Sequence, residues 1–307
     1  MLRYVVRRLL TAIPTLFAII TIAFFLIRVA PGGPFDSDRP LEETVRANLN
    51  AAFGLDLPLW QQYFLYLGNL FQGDLGPSFI YRDLSVRELI AAGLPISIQL
   101  GGLALILAVI VGVILGTIAA VRQNQAADYA VTATATFGVT VPNFVVGPIL
   151  SLVFGVMLGI LPAGGWDGGA WDHMLLPVVT LALPQIAVVA RLTRASLIEQ
   201  LRAHHVRTAR AYGLPARSVV VTHALRSALL PVVSYLGPAA AALLTGSIIV
   251  ETIFSVPGVG RYFVQGALNR DYTLVMGTVV LIATFVVLFN LVVDLIYAWL
   301  DPRVRYE

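Results

Sequence analysis

A chain of 307 residues, 58% of them hydrophobic and only 12% charged, is far from a soluble domain, where roughly a quarter are charged, and reads as a polytopic membrane protein. Its net charge of +3 rests on arginine alone, and the lack of any lysine excludes a phosphate-binding loop, which needs a lysine on the β- and γ-phosphates. With no cysteine, disulfides, thiolate metal sites and cysteine nucleophiles are excluded too.

The first span is expected over 9–27, an uncharged apolar run behind Arg3, Arg7 and Arg8. It is longer than a signal-peptide core, and no small-residue cleavage site follows. Arg28 at its far end is expected to snorkel to the interface. The segment 31–94 that follows is net acidic, through Asp36, Asp38, Glu42, Glu43, Asp56, Asp74, Asp83 and Glu88, and is assigned outside the membrane. Within it Trp60, Tyr63, Phe64, Leu67, Leu70 and Phe71 recur at helical spacing behind Pro58. That pattern predicts an amphipathic helix on the membrane surface or on the bundle, serving either as a packed cap or as a docking surface.

Further uncharged stretches at 95–121, 129–157, 174–190, 228–250 and 272–293 each come close to the roughly 20 apolar residues a crossing helix needs. The fold expected is therefore an all-α polytopic membrane protein of six transmembrane helices with both termini on one side. In the second stretch Gly112 and Gly116 form a small-xxx-small pair that Gly101 and Gly102 extend, as suits close helix packing within the subunit. The third is the most polar and the one expected to bend, with Thr132, Thr134, Thr136 and Thr140 ahead of Pro142 and Asn143. Thr136, Thr140 and Asn143 are candidates for lining a path, although threonines in a membrane helix also bond their own backbone. The fourth is the shortest and carries Pro177 and Pro184. Glu251 ends the fifth span and is a candidate outer gate or substrate-amine partner, while Asp294 near the inner end of the sixth suits a structural arginine partner.

Arginine placement orients the spans. Arg3, Arg7, Arg8, Arg122, the seven arginines from Arg191 to Arg226, and Arg303 and Arg305 share one side, whereas the short loops opposite hold only Arg261 and Arg270. By the positive-inside rule the arginine-rich side, with both termini, is cytoplasmic. His204 and His205 are adjacent, hence about 100° apart on a helix, His173 lies near Asp167 and Asp172, and His223 is isolated; none has metal-ligand spacing. No serine, histidine and carboxylate set converges either. No metal, no cofactor and no nucleic acid are expected on this chain, and lipid is its expected surroundings.

The segment 202–231 is the one long, strongly basic stretch on the inner side. A short helix is predicted over 203–212, closed by Gly213, with a second helix that has Pro215 in its first turn, continues through Leu229 and stops near Pro231. Read alone, it could be a solvated basic loop. Thr208 and Ala209, Gly213 four residues after that alanine, and the run on to Leu225 and Pro231 resemble the EAA loop of ABC importer permeases. Ala209 is small enough for close helix approach, and Gly213 carries no side chain to obstruct a tight corner. Arg207 and Thr208 stand where the general motif has Glu and Ala, and Arg226 where it has its first proline, a variant similar to the dipeptide and oligopeptide branch.

The resemblance extends along nearly the whole chain, through RRLLTAIPTLFAIITIAFFLIRVAPGGPFD, FGLDLPLWQQYFLYLGNLFQGDLGPSF, ETIFSVPGVGRYFVQGALNRDYTLV and DLIYAWLDPRVRYE. It implies a type I ABC importer permease fold, one transmembrane permease domain over 1–307, and residence in the bacterial cytoplasmic (inner) membrane. It also implies a second homologous permease, two ABC ATPase subunits that bind the ATP and Mg, an extracytoplasmic solute-binding protein and a peptide cargo. Arg207, Thr208, Ala209, Ala211, Gly213, Leu214, Leu225 and Pro231 would contact or support the ATPase. Nickel, glutathione or oligosaccharide import is the alternative cargo, and an ion-coupled secondary transporter the alternative class, although the span centres carry no charge.

Overall fold

The computed structural model describes residues 2–30, 32–35, 42–81 and 83–300, with the side chains of 2–9, 245–246 and 293–300 left aside. The expectations for Arg3, Arg7, Arg8, Asp36, Asp38, Asp294, Arg303 and Arg305 lie outside the described residues and side chains. Among the described residues the chain is helical with no strand, apart from one isolated bridge between Pro77 and Ser85.

In chain order the helices are α1 (Leu2–Val29), α2 (Glu43–Ala52), α3 (Leu59–Phe71), α4 (Val86–Val121), α5 (Ala126–Thr140), α6 (Asn143–Leu150), α7 (Trp171–Gln200), α8 (His204–Ala211), α9 (Ala216–Ser218), α10 (Leu225–Ala228), α11 (Leu230–Ile253), α12 (Val259–Leu268) and α13 (Tyr272–Leu300). Among the described residues four helices are long and apolar enough to cross a membrane, and the number rises to six if each of two bent pairs forms one span.

The boundaries differ from the sequence reading where local chemistry overrides hydropathy. The second span begins at Val86, not at 95, because Ser85 and Glu88 form a capping box: Ser85 N–H donates to Glu88 Oε2 at 2.8 Å and Glu88 N–H to Ser85 Oγ at 3.2 Å. Pro95 is then carried inside the helix. The fourth span is not short: α7 runs for 30 residues, with Pro177 and Pro184 inside it. The third span bends as expected, but by 102°, far beyond a proline kink. Val141, held extended ahead of Pro142, separates two arms. The 15 residues of α5 extend only about 22 Å, short of the roughly 30 Å hydrocarbon core, so this stretch is not one straight crossing. The fifth span breaks more gently, by 51° at Leu229, where Pro231 opens α11.

The chain divides into two compact units, 6–97 with 257–287, and 1–5 with 98–256 and 288–307. In the first of these, Phe24 of α1, Tyr63 of α3 and Met276 of α13 form one buried cluster, and Val86, Leu89, Ile90 and Leu274 another. The predicted amphipathic helix is present as α3, yet only part of the expected stripe is used: Tyr63 is buried and Leu67 packs beside it, while Trp60, Phe64 and Phe71 stay exposed. Burial pushes the pKa of the Tyr66 phenol up to about 12, against the pull of nearby Arg28, so Tyr66 is neutral at working pH.

The same unit holds a node that hydropathy does not reveal. Asp271, wholly buried, caps α13 by accepting from Leu274 N–H at 3.0 Å. Its other oxygen accepts from Ser78 Oγ at 2.5 Å and Phe79 N–H at 2.9 Å, which ties the turn before α4 to the start of α13. Beside it, burial raises the Tyr81 phenol above its ordinary value, and its hydroxyl donates to Gln265 Oε1.

Candidate functional site

The second unit is organised on α7. Gly112 and Gly116 let α4 lie directly against it: a Cβ at Gly112 would sit 2.7 Å from Val189 Cβ, and one at Gly116 would sit 2.5 Å from the Ala190 carbonyl and 2.6 Å from Thr193 Cβ. Gly101 and Gly102 do not extend this contact, since a Cβ at either meets nothing within 4 Å. On the α5 side, Arg194 of α7 grips Asp128 with two donors, Nε at 2.5 Å and Nη2 at 2.7 Å. Asp128 also accepts from Asn124 N–H at 2.9 Å, so its nearly buried carboxylate closes the turn before α5 and holds α5 on α7. On the α11 side, Tyr235 donates its hydroxyl to Gln185 Oε1 at 2.8 Å.

Three residues, 201–203, separate the end of α7 from the start of α8. Its bounds agree with the helix predicted over 203–212, with Ala203 and Tyr212 as the flanking caps. Val206 and Ala209 are buried together with Leu197 of α7, Ala120 of α4, Val219, Ala224 and Ala228. The smallness of Ala209 therefore serves the chain's own core, where a larger residue would push α8 off this cluster. Arg207, Thr208 and Ala211 lie on the exposed face.

Gly213 stops the helix at φ +75°, the left-handed region that strains any residue with a Cβ. Its N–H donates to the Arg210 carbonyl at 2.9 Å, and the Leu214 N–H reaches the Ala209 carbonyl at 3.4 Å. A Cβ at Gly213 would meet nothing within 4 Å, so the demand for glycine is conformational and not one of crowding at the corner. Leu214 is exposed, Leu225 is half-buried against the core cluster, and Pro231 is exposed at the start of α11. The second predicted helix is present over Ala216–Ala228 with Pro215 as its N-cap, its middle widened into a π-helical turn over Val219–Ala224 between α9 and α10.

The corner thus presents a basic surface. Arg202, Arg207, Arg210, Arg217 and Arg226 are all exposed, and 202–231 contains no acidic residue. Tyr212, 82% exposed at the C-cap, stands in the middle of it and was missed by the sequence reading. Its signal was legible: an aromatic directly before the closing glycine has no helix face left to bury it. Asp128 and Asp271 were missed too, although each is an acid at or just before the first turn of a helix, where carboxylates cap. Among the described residues no group of three His, Asp or Glu side chains could hold a metal, and His205 Nε2 lies 3.2 Å from the His223 carbonyl.

The path candidates separate. Thr136 and Thr140 are exposed on α5, but each donates its hydroxyl to its own helix, to the Thr132 and Thr136 carbonyls at 2.9 and 2.8 Å. Asn143 begins α6 right after the break, and its Oδ1 is buried without a hydrogen-bond partner. Glu251 is wholly buried in the last turn of α11, so it presents no open carboxylate.

The sequence matches the model of the family described as "Binding-protein-dependent transport system inner membrane component" over residues 112–306, and that of its N-terminal counterpart over 1–100. It is 50% identical over 306 residues to the oligopeptide transport system permease protein OppB of Haemophilus influenzae, with 100% of both chains covered. It is 51% identical over 306 residues to OppB of Escherichia coli K12, again with 100% of both covered. The dipeptide transport system permease protein DppB of Bacillus subtilis is 42% identical over 305 residues, covering 99% of this chain and 98% of that one. Among solved structures, a chain of an amino acid ABC transporter shares the fold with a TM-score of 0.52 at 18% identity, over 71% of this chain and 94% of that one.

Proposed function

Because this chain belongs to the family of inner-membrane components of binding-protein-dependent transport systems, we propose that it is one permease subunit of an ATP-driven importer of di- and oligopeptides. It is a multi-pass protein of the bacterial inner membrane. The peptide cargo rests on the relatives, whose names specify oligopeptide and dipeptide transport and whose sequences align with nearly all of this chain.

One observation carries the mechanism: α8 is anchored through Val206 and Ala209 in the chain's own core while Arg207, Thr208, Ala211, Tyr212 and Leu214 remain exposed around a glycine-closed corner. A short, firmly seated helix with an uncommitted basic face is suited to be gripped and moved as a body. Its complement is an acidic-rimmed groove on a cytoplasmic ATPase, one copy under this chain and one under a second, homologous permease. ATP and Mg bind those ATPases, and this chain contributes no catalytic group.

Displacement of α8 passes first to α7, because Leu197 shares its core cluster, and then to α5 through the Arg194–Asp128 pair. The break at Val141 and Pro142 lets α5 move without carrying α6 rigidly along. Alternating access would follow as α5, with Thr136 and Thr140, turns toward or away from the path between the two permeases, with Asn143 at the start of α6 just beyond the break and Glu251 as a positioning group at the end of α11. A solute-binding protein would deliver peptide at the segment 31–94.

The test is ATP hydrolysis by the purified chain, first alone and then reconstituted with its second permease, ATPases and binding protein, with and without a peptide mixture. Hydrolysis is expected only in the full assembly and is expected to rise with peptide. Stimulation by nickel, glutathione or an oligosaccharide instead would keep the coupling role and change the cargo, while uptake by this chain alone, following an ion gradient, would overturn the reading. Gly213→Asp is expected to abolish uptake at normal membrane abundance, and full uptake by that variant would remove the coupling role from the corner.

A further inference from the structure

Arg28 does not snorkel as its position at the end of an apolar run predicts. Its guanidinium is turned back over the Phe24 ring, with Cζ 3.6 Å from the ring centroid, and Nε donates to Gln62 Oε1 at 2.9 Å. Gln62 cannot turn away, because its Nε2 donates to the Leu55 and Leu57 carbonyls at 3.1 and 2.8 Å. Nη1 is buried with no hydrogen-bond partner. A cation is therefore held in a fixed pose by an aromatic face and a neutral amide, and among the described residues no carboxylate pairs with it.

This guanidinium borders a cavity of about 340 Å³, whose other polar side chains are Asn50, Gln62 and Tyr272; no acidic residue lines it among the described residues. Gly32 and Gly33 form its backbone wall. The first of these is fixed at φ +91°, its carbonyl accepts from Tyr272 Oη at 2.8 Å, and a Cβ on it would lie 2.7 Å from Arg270 Cζ, so a second guanidinium presses on this wall. An immobilised cation facing a space whose described lining carries no acid is preorganised for an anion, since little ordering remains to be done on binding.

We propose that this cavity binds a phosphate group, carried either by a phospholipid headgroup or by a soluble phosphate. Arg28 ends the apolar run of α1 on the side opposite the arginine-rich N-terminus, which is the level of the outer-leaflet phosphates by the positive-inside rule. The side chains around it on the last turns, Phe25, Leu26 and Val29, are exposed, as suits acyl chains lying beside a headgroup held at Arg28. Its occupancy would set how firmly α1 is seated on α3.

The full-length chain, purified with the assembly it forms, tests this in two arms. In the first, native mass spectrometry counts phosphatidylglycerol retained from phosphatidylcholine bilayers doped with that lipid. In the second, melting in detergent is followed as inorganic phosphate or glycerol phosphate is added at constant ionic strength. Wild type is expected to hold the anion in at least one arm, and Arg28→Gln to weaken it by roughly tenfold or more, the scale of a lost charge-assisted contact. Asn50→Asp leaves Arg28 and its contacts in place but puts a negative charge on the cavity wall, so it keeps the test open if Arg28→Gln fails to accumulate; it is expected to expel the anion equally. Retention only in the lipid arm identifies a headgroup, and response only in the detergent arm a soluble phosphate. Equal retention and equal melting response in wild type and Asn50→Asp in both arms would overturn the proposal.

Discussion

The corner at Gly213 and the node at Asp271 both close a helix end, but they leave their side chains in opposite states. At Asp271 a buried carboxylate takes donors from Ser78, Phe79, Thr273 and Leu274, so both of its oxygens are used inside the chain. At Gly213 the backbone alone ends the helix, and Arg207, Thr208, Arg210 and Tyr212 are left exposed. The difference teaches how to separate structural from interactive polar residues in a membrane protein: the first kind is saturated by its own chain, and the second sits on an element anchored from behind by apolar residues.

That contrast can be broken most sharply at Asp271. Asp271→Ala is expected to destabilise the chain by about 3 kcal/mol or more, because hydrogen bonds to a charged group are lost and their buried donors stranded. The loss would appear as a large fall in melting temperature and membrane abundance, with Asp271→Asn falling less because the cap is retained. Wild-type melting in Asp271→Ala would show that the node is not structural.

Next in size is Gly116→Val, expected to cost about 1–3 kcal/mol by forcing α4 off α7. Gly101→Val, where a Cβ meets nothing, is expected to stay within about 0.5 kcal/mol in the same melting assay. Equal behaviour of the two variants would contradict the assignment of Gly116 to an internal contact and Gly101 to a free face.

Gly213→Val is expected to lose about 1–2 kcal/mol from left-handed strain, and Gly213→Asn less, since asparagine tolerates that region. Uptake should nevertheless fall far more steeply than stability for Gly213→Val, because the corner's geometry and not its packing is at stake. A drop in uptake that merely tracks abundance would make the corner structural, like Asp271. The smallest effect is expected for Thr136→Val, within about 0.5 kcal/mol, because its hydroxyl bonds only its own helix on an exposed face. If uptake is also unchanged, Thr136 is removed from the path.

The fold was legible wherever hydropathy and local signals agree. The helix over 203–212, its glycine stop, the renewed start at Pro215 and the stop near Pro231 follow from short-range chemistry, and the structure has them within a few residues. Legibility failed where two distant segments share one group. Asp128 carries no sequence signal of its partner, because Arg194 lies 66 residues later. Arg28 looked like a snorkelling end until Phe24 and Gln62 were found holding it. The stripe on α3 shows the same limit: periodicity marks a face that can be buried, not which half of it meets a neighbour within the chain.

By itself the sequence determined the membrane class, the absence of an ATP-binding loop of its own, the basic side and the glycine corner. These depend on composition and on contacts within a few residues, which travel with the chain in any surroundings. Only the tertiary structure decided that the third stretch is two arms at 102°, that Ala209 faces inward while Tyr212 faces outward, and that Asp128, Asp271 and Arg28 are each fixed by groups far along the chain. Burial and pairing are properties of what lies opposite a side chain, and that is settled only when the helices pack.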